Sequence, residues 1–280
     1  MKIRFMCPMW GNAGRLIEQF CEEVAAAGYD GVEASVPLDN KPFARRVVSA
    51  IKEAGLGWIG QHWETVDRDP DRHVEKFSER LLWLAELEPL FINSQTGRDW
   101  FSFDQNRRVI DAARSVEAQT GVKIIHETHR GKFSFCAQTT RKFLETCSDL
   151  RITADFSHWC TVSESMLEDQ ADAVSLAIDR ADHIHARVGW QEGPQINDPR
   201  SPEWADTVAV YLGWWDRIVE AHRQSGEDLT LAPEFGPFPY MPQLPFTRQP
   251  VACQWDINLY MMNLLKKRYS KAGPQASSPP

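Results

Sequence analysis

Short, almost uninterrupted apolar runs alternate with amphipathic stretches along the whole chain, and this alternation limits the folds open to it more than any other feature. Eight runs have strand character: KIRFMC (2–7), DGVEAS (30–35), LGWIGQH (56–62), PLFINSQ (89–95), VKIIHET (122–128), RITADFS (151–157), HIHARVG (183–189) and LTLAPEF (229–235). They lack the in-out alternation of a half-exposed sheet, which is the pattern of parallel strands covered on both faces. The segments between them repeat apolar residues every three or four positions. In GRLIEQFCEEVAAAG, Leu16, Phe20, Val24 and Ala27 do so before Gly28, a normal C-terminal cap. RHVEKFSERLLWLAELE and DQNRRVIDAARSVEAQTG behave alike.

Eight such units in 280 residues predict an α/β fold, a single-domain (β/α)₈ TIM barrel over residues 1–270, closed by the helix VACQWDINLYMMNLLKKRY. A doubly wound open sheet competes with it. That fold normally carries a glycine-rich phosphate turn after its first strand, and GNAG at 11–14 is too short and irregular for one. The end of the chain, residues 271–280, reads as a disordered, solvated tail. Two connections are long: residues 190–214 after the seventh strand and 236–250 after the eighth. Both fall on the side where barrels build their sites. The second holds Pro237, Pro239, Pro242, Pro245 and Pro250 among Phe238, Tyr240 and Phe246, which predicts a formed pocket wall, from this subunit or a neighbouring one.

Acidic and histidine residues stand near the ends of four successive strand candidates: Glu127, Asp155, His185 and Glu234. Spacings of 28 residues (127 to 155) and 30 residues (155 to 185) are one βα unit each, and the longer gap to Glu234 is one unit plus the first long connection. One carboxylate or imidazole per strand could converge on a single divalent cation: Mn²⁺, Co²⁺, Mg²⁺ or Zn²⁺. His129 shares a face with Glu127, and His183 and Arg187 share one with His185, whereas His126 points away. In ADFSHW the strand is expected to end at about Ser157, leaving His158 in the following turn. For His129, His158 and His183 the plainer role is to orient a ligand.

Composition removes several classes of function. A net charge of −8 without a visible basic patch argues against a nucleic-acid partner. No stretch approaches the about 18 apolar residues of a membrane span. The first residues lack the hydrophobic region and cleavage site of a signal peptide, so a cytoplasmic location is the default expectation. The six dispersed cysteines form no C-x-x-C pair and read as reduced core thiols. Eleven tryptophans offer flat faces to sugar rings, although packing accounts for most large aromatics.

With these motifs on the page, the chain resembles the xylose isomerase-like TIM barrel superfamily, in its sugar phosphate isomerase/epimerase branch. The resemblance spans about residues 2–268 and rests on GVE (Glu33), GQH (His62), H-E-T-H (Glu127), D-F-S-H (Asp155, His158), H-A-R (His185, Arg187) and P-E-F-G (Glu234). It implies one divalent metal ion, Mn²⁺ foremost, held by Glu127, Asp155, His185 and Glu234. It implies a carbohydrate substrate, unphosphorylated because no glycine-rich or Lys/Arg-rich loop marks the barrel mouth. An α-hydroxy ketone chelated there would lose a proton to give an enediolate, with Glu127 and Glu234 exchanging it and His158 assisting. Substrate contacts are expected from Glu33, His62, His129, His158, Arg187, Trp159 and Tyr240.

The same first step serves a lyase, a dehydratase or keto-glycoside cleaving enzyme, when a β-substituent leaves instead. A trinuclear zinc endonuclease of the superfamily carries Asp-x-His after the seventh strand, where this chain has Asp198-Pro199-Arg200, so a phosphodiesterase is disfavoured. A barrel serving only as a binding subunit is disfavoured by the intact ligand set. Assembly into a homo-oligomer is left open.

Overall fold

In a computed structural model, which describes residues 1–12 and 14–270, the eight apolar runs form one closed parallel barrel with its strands in sequence order. The elements are β1 (Ile3–Pro8), α1 (Ile17–Ala26), β2 (Gly31–Ala34), α2 (Lys41–Glu53), β3 (Gly57–His62), α3 (Pro70–Ala85), β4 (Ile92–Ser94), α4 (Phe103–Thr120) and β5 (Ile124–Glu127). There follow α5 (Ala137–Thr146), β6 (Ile152–Ala154), α6 (Phe156–Ser163), α7 (Ala171–Asp179), β7 (Ala181–His185), α8 (Ala205–Ser225), β8 (Leu229–Ala232) and α9 (Gln254–Tyr269). β1 closes on β8 through the register Ile3 with Leu229 and Phe5 with Leu231. The expected tail, 271–280, lies outside the described residues.

Local chemistry fixes where the helices begin. Asp69 accepts the amides of Asp71 and Arg72 at 3.0 Å each while Pro70 occupies the first turn of α3. Ser102 and Gln105 exchange side-chain and backbone bonds at the start of α4, a reciprocal cap that satisfies two amides. The buried stripe of α1 is Ile17, Phe20, Cys21 and Val24, so Phe20 and Val24 face inward as expected, whereas Leu16 precedes the helix and is exposed.

Most of the core lies between the strands and the surrounding helices, and a small apolar plug of Met6, Ile59 and Ala232, packed on Phe91, sits apart from it. With Glu33, Asn93, Thr153, His183 and Thr230 buried in one hydrogen-bonded set, the site rests on a polar network as well as on hydrocarbon.

Two expectations need correction. β6 stops at Ala154, not near Ser157, because Asp155 caps α6 by accepting the Ser157 amide at 3.2 Å, so His158 is helical. The connection expected over 190–214 is partly helical, with a 3₁₀ turn at Pro202–Trp204 and α8 from Ala205.

Candidate functional site

The C-terminal strand ends converge on acidic and histidine side chains. Glu127 ends β5, His185 ends β7, Asp155 follows β6 directly, and Glu234 stands two residues beyond β8. One ligand atom from each lies within 4.8 Å of the others. His185 Nδ1 is 2.9 Å from a Glu234 carboxylate oxygen, 3.8 Å from one of Glu127 and 3.9 Å from Asp155 Oδ2. All four side chains are buried. Glu127 and Glu234 line the cavity above, whereas Asp155 and His185 do not reach its wall.

His185 tests whether the set fits a cation. Its Nε2 is 3.1 Å from both oxygens of Glu33 and donates to that carboxylate. The other ring nitrogen, Nδ1, is buried among the three remaining carboxylates, nearest to that of Glu234. A carboxylate that holds one nitrogen and aims the other is how a metal-ligating histidine is oriented. Three carboxylates and an imidazole suit Mn²⁺, Co²⁺, Mg²⁺ or Zn²⁺, and the residues present fit such an ion.

Electrostatics point the same way. Burial works against charge on His185, yet Glu234, Glu33 and Glu127 hold its pKa well above the usual histidine value. Burial pushes Glu127 up to about 8; Glu234, Asp155 and Glu33 add to the rise and His185 opposes it. Burial also raises Asp155, against the pull of Arg187 and His185. So many carboxyl groups in one dry place call for positive charge between them.

Arg187 ties the set together. Its guanidinium donates to Asp155 Oδ2 and to His158 Nε2, the latter at 2.9 Å, and lies 3.4 Å from Glu234 Oε2. It also stands 4.8 Å from the centre of the Tyr240 ring, which meets Trp10 edge-on. Gly236 makes room for that arrangement, because a Cβ there would fall 2.1 Å from the Trp10 ring. Burial, reinforced by His129 and Arg187, keeps His158 neutral, and its Nδ1 has no hydrogen-bond partner among the described residues. The His129 ring lies 3.9 Å from that of His158 and lines the cavity with Arg187 and Tyr240.

Four expected substrate contacts do not line the cavity: His158 stands behind His129 and Arg187, and the other three lie elsewhere. Glu33 is buried among His183, His185 and Asn93 and does not line the cavity. His62 bonds Ser94 and Thr65 and meets Phe77 edge-on. Gln61 is the β3 residue that reaches the site, 3.3 Å from Glu234, and strand alternation sends its neighbour outward. Trp159 donates to the Ser134 carbonyl at 2.8 Å and stacks on Phe156 in the core. Three amides were missed: Gln61, Asn93 and Gln95. Asn93 donates to Glu33 and Glu127, and Gln95 lies 3.3 Å from both Glu127 oxygens. Their signal was position alone, polar residues at the ends of apolar strands.

A family model described as xylose isomerase-like TIM barrel matches residues 21–188. No curated protein sequence matches the chain. Among solved structures, D-allulose 3-epimerase from Methylomonas sp., in complex with D-allulose, is 16% identical with a TM-score of 0.62, covering 96% of this chain and 98% of its own. A probable 3-DHS dehydratase from Bacillus anthracis is 18% identical with a TM-score of 0.57, over 96% and 100% of the two chains. Endonuclease IV from Thermus thermophilus is 12% identical with a TM-score of 0.57, over 94% and 97%. At these identities the likeness to each structure is one of fold.

Proposed function

As the chain belongs to the xylose isomerase-like TIM barrel family, we propose that it is a divalent-metal-dependent isomerase or epimerase. Its substrate is an unphosphorylated sugar, keto-sugar or related polyol, and it works by moving a proton on the carbon beside a carbonyl. The observation that carries this reading is the division within the tetrad: two glutamates reach the cavity while the aspartate and histidine stay behind them.

The ion would be held by Glu127, Asp155, His185 and Glu234, and when bound it supplies Lewis-acid polarisation of a carbonyl oxygen. The proton is carried by protein groups. Glu127, steadied by Asn93 and Gln95, and Glu234, steadied by Gln61, are the two carboxyl groups of the tetrad that are open to the cavity. Positioned acid-base groups contribute about 10²- to 10⁴-fold each. His158 accepts from Arg187 through Nε2, so the proton of the neutral ring sits on Nδ1, and the ring stands behind His129 and Arg187, which line the cavity. Tyr240 and Arg187 wall the pocket beside it. The epimerase with D-allulose is a relative whose ligand is of this class.

A second reading, a lyase, is favoured by one specific feature: the His129 imidazole lines the cavity with the His158 ring against it, beside the place of a departing oxygen. A dehydratase shares the fold. Proton NMR in D₂O, with Mn²⁺-supplied protein and a panel of ketoses and keto-glycosides, separates the two. Exchange at the α carbon without a leaving group supports the isomerase, and an enone or released aglycone supports the lyase. Absence of both across Mn²⁺, Co²⁺, Mg²⁺ and Zn²⁺ overturns the proposal.

A further inference from the structure

The cavity above the tetrad has room for more than a sugar. Its volume of about 1430 Å³ exceeds the roughly 300–1,000 Å³ usual for small-ligand sites. Its lining also changes character with distance from the strand ends. The floor is polar, with Gln61, Gln95, Glu127 and Glu234, whereas the loops after β1, β2 and β3 contribute Met9, Trp10, Pro37, Leu38, Trp63 and Val66. Trp63 and Val66 are 51% and 60% exposed. Large apolar side chains left facing water in a concave surface, continuous with a polar floor, form a binding wall for apolar matter.

Charge narrows the ligand further. Arg80 is paired with Glu64 at 2.7 Å and Lys76 with Asp67 at 2.5 Å, so two basic groups of this lobe are already neutralised. Asp39 and Glu79 outnumber the remaining Arg68. An anionic group such as a phosphate gains nothing here. Arg80 is a positioning residue: it bonds the Val36 carbonyl as well as Glu64, and so holds the loops after β2 and β3 as facing walls.

We propose that this lobe is a second subsite for a neutral, flat, apolar group attached to the sugar, so that the substrate class is an aryl-type glycoside whose sugar ring carries the carbonyl the reaction needs, and not a free monosaccharide. The inference rests on the proposed function, which places the sugar over Glu127 and Glu234. Trp63 supplies a ring face for offset stacking, and Leu38 and Val66 supply aliphatic contact.

Calorimetric titration of the full chain with Mn²⁺ tests it, using paired phenyl and methyl β-glycosides of glucose, galactose and xylose. At least one phenyl glycoside is expected to bind tenfold or more tightly than its methyl partner. Trp63→Ala is expected to bring that ratio to about one, and Val66→Asp, at a more exposed position, to lower it at least threefold. Equal binding within every pair, no binding by any glycoside, or a preference that survives both substitutions overturns the subsite. Deuterium exchange on free ketoses does not need the lobe, so failure of the proposed reaction is read separately.

Discussion

At the scale of single residues, the site separates groups that carry protons from groups that hold them in place. Glu127→Gln and Glu234→Gln each remove a carboxyl group open to the cavity, so either should lower deuterium exchange at the substrate α carbon by about 10²-fold or more. Normal exchange in either variant, followed by NMR, removes that residue from the proton path. Glu33→Gln acts differently. Glu33 touches the His185 and His183 rings, and those histidines hold its pKa well below the carboxylate range despite burial. Its substitution should weaken metal affinity about 10- to 100-fold through loss of ring orientation, measured by titration of the metal-free protein with Mn²⁺. The tetrad was legible because its members recur at one structural position in successive units. Glu33 and His62 were placed against substrate because a motif names residues without saying which strand face they take; one step along β3 separates Gln61, at Glu234, from His62, packed on Phe77.

At the scale of elements, hydrophobic period alone gave the order of strands and helices, since burial on both faces of a parallel strand leaves a signal that needs no tertiary knowledge. It gave the ends less well. ADFSHW is apolar enough to serve as strand or helix, and the choice fell to one side-chain bond, Asp155 to the Ser157 amide. The same bond fixes one Asp155 oxygen, leaving Oδ2 towards Arg187 and the tetrad. The segment after β8 shows a dependence that composition did not reveal: its prolines and aromatics suggested a wall, but of residues 236–250 only Tyr240 lines the cavity, Phe238 and Phe246 are exposed, and Tyr240 is joined there by Trp10 from the loop after β1, seated over Gly236. Gly236→Ala should therefore displace the Trp10 ring and lower stability by about 1–3 kcal/mol. Thermal unfolding reports the loss, and altered tryptophan emission reports the displaced ring; an unchanged melting temperature with unchanged emission would show that Trp10 is not held there.

For the whole molecule, the tetrad joins strands from half the barrel, so a bound cation should stabilise the entire chain. A ligand present at a hundredfold excess over its Kd contributes about 2.7 kcal/mol. For a chain of this length Tm then rises by several degrees, at roughly 2–4 °C per kcal/mol. Differential scanning with Mn²⁺ and then with chelator checks the effect, and an unchanged Tm with all four candidate metals contradicts the fit of the site. Acid tolerance is governed elsewhere. Burial lowers His62 to about 3 and also lowers His73, more weakly countered by the Asp67 carbonyl. In the unfolded chain histidine titrates near 6.5. Between about 6.5 and 3 the unfolded state therefore binds a proton that folded His62 refuses, so stability is full above about 6.5 and is lost as pH falls through this window. The loss is about 1.4 kcal/mol per pH unit for one such group. In chelator, where metal linkage does not contribute, unfolding free energy measured between pH 7 and 4.5 should fall more steeply in the native sequence than in His62→Gln, by about that amount per unit below pH 6. Parallel slopes would mean that His62 takes up its proton inside the fold, and that the Ser94 and Thr65 hydroxyls facing its two nitrogens can accommodate an imidazolium.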